Sequence, residues 1–66
     1  MNITLNGKPA EIRSRVTAGR FLDELKIGRT LAAVEVNGKI LDKSEFDFFV
    51  IPDGAVIEII RFMGGG

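Results

Sequence analysis

The chain has 66 residues, which places it as one domain near the lower limit for folding without staples. Cysteine and histidine are both absent, which excludes disulfides, thiolate metal sites and the usual general base. Nine acidic and nine basic residues give zero formal net charge, and no basic run of the kind that tracks phosphates appears, so nucleic acid is not an expected partner.

Asn2-Ile3-Thr4-Leu5-Asn6 alternates polar and apolar residues, which predicts a half-buried strand with Ile3 and Leu5 inward. Asn6-Gly7 is a hairpin signal, because both central residues of a type I′ turn need positive φ. Ala10-Glu11-Ile12-Arg13 resumes the alternation as the antiparallel return. Thr17 then reads as the N-cap of a helix, with Ala18, Phe21, Leu22 and Leu25 at i, i+3, i+4 and i+7 forming its apolar stripe. Gly28 is the expected left-handed residue closing that helix, and Gly19 weakens its first turn.

Residues 31–36 read as a third strand, with Ala32, Val34 and Val36 on one face and Glu35 on the other. Asn37-Gly38 repeats the hairpin signal, and Ile40-Leu41 leaves room only for a short return. Phe46, Phe48 and Phe49 are expected to plug the end of the core from a loop or a single helical turn. Pro52-Asp53-Gly54 is a turn that launches the last strand, which runs to about Phe62. One amphipathic helix among five strands needs a sheet face to cover, so the expected class is α+β in two layers.

In the last strand Glu58 is costly to bury and should face outward. Alternation then puts Ile57 and Ile59 inward and sets Val56, Ile60 and Phe62 beside Glu58. This apolar row is read as a partner-binding surface, with Arg61 at its end reaching toward an acidic groove; the competing reading is that a neighbouring loop covers it. Directly behind the strand stand Gly64-Gly65-Gly66. Without Cβ atoms such a tail can extend where side chains would clash, which makes the Gly66 carboxylate the expected working group. The expected division is a domain over residues 1–63 and a flexible reactive tail over 64–66.

The strand order with its glycine ending resembles the β-grasp fold of ubiquitin-like proteins, as a mixed sheet of about five strands packed on one helix. Within that fold the chain resembles the ThiS-type sulfur carriers of thiamin thiazole biosynthesis. The likeness rests on Met1-Asn2-Ile3-Thr4-Leu5-Asn6-Gly7, Thr17, Leu22, Leu25, Ala33-Val34-Glu35-Val36-Asn37-Gly38-Lys39-Ile40, the Asp53-Gly54 turn and Gly65-Gly66. It spans essentially the whole chain, and the length suits ThiS better than the related MoaD-type carriers of molybdopterin synthesis. The resemblance implies that a ThiF-type, E1-like adenylyltransferase uses ATP and Mg²⁺ to adenylate Gly66. A sulfur donor protein then converts the carboxylate to a thiocarboxylate, and a ThiG-type thiazole synthase takes the sulfur. Gly65 and Gly64 would give slender access to that end.

The composition agrees with a substrate rather than a catalyst. Activating a carboxylate needs ATP, a metal ion and charge stabilisation. The chain has no P-loop, no Gly-x-Gly-x-x-Gly fingerprint and no carboxylate pair with a base. No bound cofactor and no enzymatic activity of its own are expected. Asp42, Glu45, Asp47 and Asp53 lack cation-loop spacing and read as solvated turn residues. Lys8, Lys26, Lys39 and Lys43 read as surface charges. The apolar stretches are too short for a membrane span, and the first residues lack the pattern of a secretion signal. A cytoplasmic protein without membrane partners is the expectation. The alternatives are a MoaD-like or other-pathway sulfur carrier and a non-carrier β-grasp interaction module.

Overall fold

Two Asn-Gly turns organise the sheet. The computed structural model describes residues 1–62. Strands β1 (Asn2–Leu5) and β2 (Lys8–Glu11) pair antiparallel around Asn6 and Gly7, whose φ angles are 49° and 81°. Positive φ at both positions is what a type I′ turn requires. The return strand begins earlier than the alternation suggests, taking in Lys8 and Pro9. Proline is tolerated there because β2 is an edge strand, and it also discourages further pairing. The hairpin is extended by the Ile12 N–H, which donates to the Met1 carbonyl at 3.0 Å.

Helix α1 (Ala18–Glu24) starts where Thr17 predicts: the Arg20 N–H donates to Thr17 Oγ1 at 3.2 Å. Two orphan donors of its first turn are met from another segment. The Ala18 and Gly19 N–H groups donate to the carbonyls of Phe49 and Phe46, each at 2.9 Å. Ala18, Phe21 and Leu22 are buried, while Leu25 is partly exposed because the helix has already ended at it.

The closing residue is Lys26, not Gly28. Lys26 takes φ 60°, whereas Gly28 stands at −63°. The Ile27 N–H donates to the Leu22 carbonyl at 2.9 Å and the Lys26 N–H to that of Asp23 at 3.0 Å, the two bonds of a Schellman stop. Ile27 packs against the core, so its burial offsets the strain at Lys26. A Cβ at Gly19 would lie 2.7 Å from the Arg29 guanidinium carbon, so a side chain there would displace the end of Arg29 that pairs with Asp23 and Asp47.

After a 3₁₀ turn (Arg29–Leu31), β3 (Ala32–Val36) alternates as expected, with Ala32, Val34 and Val36 buried. Asn37 and Gly38, at φ 50° and 84°, turn the chain into the short β4 (Lys39–Ile40). A second 3₁₀ turn (Lys43–Glu45) opens on a capping box in which Asp42 Oδ1 accepts from the Ser44 N–H and Glu45 Oε1 accepts from the Asp42 N–H.

The three phenylalanines divide. The Phe48 and Phe49 N–H groups both donate to the Glu45 carbonyl, so the chain makes one helical turn there. That turn puts Phe46 and Phe49, three apart, toward the core and swings Phe48 out, where it is 83% exposed. Phe48 is therefore a surface residue, contrary to the core placement expected of it.

Strand β5 (Val56–Arg61) completes a five-stranded sheet in the order β2-β1-β5-β3-β4. It runs parallel to β1 and antiparallel to β3, and it lies at the centre. Ile57 and Ile59 on β5 join Leu22, Phe21 and Phe46 in a single core between helix and sheet. The class is α+β, a mixed sheet with one helix, as the sequence predicts.

Candidate functional site

The central strand presents its two faces very differently. Ile57 and Ile59 are buried under the helix, while Val56, Ile60 and Phe62 are 48%, 59% and 53% exposed. Glu58 stands between them, half-buried. The row anticipated from alternation is thus assembled on the uncovered face. Arg61 is exposed, although its parity is that of the inward residues and it stands opposite the buried Ala32.

Two asparagine side chains hold this strand. Strand β1 ends at Leu5, so the β5 backbone beyond Ile57 has no strand beside it on that flank. Asn6 replaces the missing partner: its Oδ1 accepts from the Ile59 N–H at 2.8 Å, and its own N–H donates to the Ile57 carbonyl at 2.9 Å. Asn37 does the same at the other flank, exchanging 2.8 Å bonds with both backbone groups of Val56. The turn residues are therefore also clamps on β5. Asn6→Gly keeps the positive φ and deletes only the side-chain bond. It should cost about 1–3 kcal/mol, because a part-buried N–H loses its acceptor. Urea unfolding checks this; a loss below about 0.5 kcal/mol would show that water serves the Ile59 amide equally well.

The same face carries residues that reading each strand singly does not reveal. The register sets Ile60 opposite Ala33 and Glu58 opposite Glu35, and Glu35 in turn opposite Ile40, which is 69% exposed. The two-residue Asn37-Gly38 loop dictates that last pairing, so the signal was in the sequence.

Beyond β5 the Phe62 N–H donates to the Leu31 carbonyl at 2.8 Å, continuing the ladder by one residue. Gly64, Gly65 and Gly66, named from the sequence as access residues and reactive end, lie outside the described residues.

Elsewhere, an open cleft of about 350 Å³ at the start of α1 is lined by Arg13, Arg15, Arg20 and Arg29. Its charge is largely matched internally. Arg29 reaches Asp23 at 3.0 Å and Asp47 at 2.6 Å, while Arg13 and Arg20 both engage Glu24. The hydrogen bond from Arg29 holds the Asp23 carboxyl below its ordinary range, and the two aspartates raise Arg29 in return. The Ser44 backbone N–H and hydroxyl likewise lower Asp42. Asp42, Asp47 and Glu45 are thus engaged in capping and ion pairs. Among the described residues no acidic group gathers as a metal site, and no helix is long and apolar enough to cross a membrane.

Comparison with known proteins gives this arrangement its family. The ThiS family model matches residues 3–66. The chain belongs to the ThiS family. The crystal structure of the thiamine biosynthesis protein ThiS from Geobacter metallireducens superposes with a TM-score of 0.84 at 36% identity, each chain covering all of the other. The solution structure of a thiamine biosynthesis protein from the same organism gives 0.82 at 36% identity over all of this chain and 88% of that one. The likeness confirms the ubiquitin-like β-grasp fold. A thiazole synthase from Paramagnetospirillum magneticum is 33% identical over 66 residues, and the ThiS-family chain spans only 20% of its length.

Proposed function

We propose that this ThiS-family chain is a sulfur carrier for thiamin thiazole synthesis, working through a thiocarboxylate at Gly66. The observation that carries the reading is the family match, which runs through all three terminal glycines. Gly66 supplies its carboxylate to the α-phosphorus of ATP on a ThiF-type, E1-like adenylyltransferase, with Mg²⁺ bound to the nucleotide. Pyrophosphate leaves, and the product is an acyl adenylate. Hydrosulfide released by a donor protein then attacks the carbonyl carbon, AMP departs in place of an oxide that could not leave, and loss of the sulfur-bound proton gives the thiocarboxylate.

The chain's own contribution is presentation. The domain of residues 1–63 offers the exposed row Val56, Glu58, Ile60 and Phe62, with Arg61 beside it, to the adenylating partner, and residues 64–66 carry the reacting carboxylate. A thiazole synthase that contains a ThiS-like segment supports a ThiG-type synthase as the sulfur acceptor. The chain carries neither histidine, the commonest general base, nor cysteine, and the proposed reactions belong in the cytoplasm, where ATP is available.

Deleting Gly65 and Gly66, which removes the terminal Gly-Gly, should abolish sulfur loading by the adenylyltransferase while leaving the melting temperature unchanged. Undiminished loading of the shortened chain would place the reactive group elsewhere.

A further inference from the structure

The pairing of Glu35 with Glu58 breaks a rule of sheet construction. Like charges directly opposite one another on adjacent strands are destabilising. These two face each other across β3 and β5 on the uncovered side of the sheet, both half-buried. The register offers them no relief. On that face their neighbours are Ile40 beyond Glu35, Ala33 along β3, and Val56 and Ile60 along β5, all uncharged. Among the described residues neither carboxylate has an ion-pair partner, although Glu24, Asp23, Asp47 and Glu45 all do. The exposed apolar groups beside the pair are Val56, Ile60 and Ile40.

A negative centre in an apolar surround is the complement of one kind of surface. We infer that this face docks on the adenylating partner at a point where an arginine side chain, set among apolar residues, inserts between Glu35 and Glu58. A guanidinium suits the place better than an ammonium, since its planar fork can bond two carboxylates at once. Arg29 bridges Asp23 and Asp47 in that manner within this chain. Docking excludes water around the ion contacts and joins the two charges through a shared cation, so repulsion in the free protein becomes attraction in the complex. The inference rests on the carrier reading and names the chemistry of its first partner.

The test is calorimetric titration of the full chain and its Glu35→Gln and Glu58→Gln variants with the adenylyltransferase, at low and high salt. Each variant should bind about tenfold more weakly at low salt, the double variant should lose less than the product of the two, and raising the salt should weaken the wild type far more than the double variant. The melting temperatures of both single variants should rise or hold, because the repulsion is relieved. Unchanged affinity in both, with wild-type loading intact, overturns the inference and leaves the carrier reading standing. Selective loss of thiazole synthase binding, or self-association through this face, overturns the choice of occupant. A wild-type chain that the adenylyltransferase neither binds nor loads defeats both readings together.

Discussion

Phe46→Ala should leave a large fraction of the protein unfolded at room temperature. Phe46 is among the largest fully buried side chains, and its turn supplies a carbonyl to the start of α1. Truncating a buried phenylalanine costs about 3–5 kcal/mol. A single core in a domain of this size supplies roughly the same amount in total, so little net stability would remain. Phe48→Ala, two residues away, should shift stability by no more than about 0.5 kcal/mol, because its ring already faces water. Circular dichroism during urea titration separates the two. Equal losses at both positions would mean that Phe48 packs in solution.

Phe62→Asp should weaken binding to the adenylyltransferase by about 30-fold or more, the scale of an aromatic anchor lost from the middle of an interface. The fold should hold, since Phe62 is half-exposed and enters the ladder only through its backbone N–H. Native-like melting together with undiminished binding would remove Phe62 from the docking surface. Unfolding would instead show that its ring supports the core. This substitution probes the apolar row, whereas the glutamine variants probe the charged centre, so the two results are independent.

Most of the fold was legible because local and global signals coincide in it. Both Asn-Gly turns, the Thr17 cap and the alternation of β3 and β5 are short-range patterns, and the packing of one helix on one sheet preserves each of them. The places where reading failed are those decided by a second element. Gly28 looked like the helix stop by residue type, but burial of Ile27 moved the stop to Lys26. Phe48 looked like core by composition, but a hydrogen-bonded turn gave the inward positions to Phe46 and Phe49. The bonds from Asn6 and Asn37 to β5 join turns to a strand far along the chain, and no local pattern reports them.

The site divides along the same line. The row of Val56, Glu58, Ile60 and Phe62 follows from a period of two within one strand. Glu35 and Ile40 join it only through the register between strands, so a strand read alone leaves them out. The charge opposition of Glu35 and Glu58 is a property of the sheet, belonging to neither strand by itself.

The carrier reading turns on the chemical state of one carboxylate. Intact-mass and fragmentation spectrometry of the chain, after incubation with the ThiF-type adenylyltransferase, ATP, Mg²⁺ and a sulfur donor, measures it directly. The predicted result is one oxygen exchanged for sulfur, localised by the fragments to Gly66. An unchanged mass with an adenylyltransferase shown to be active on its own carrier, or sulfur found at any other residue, would contradict it.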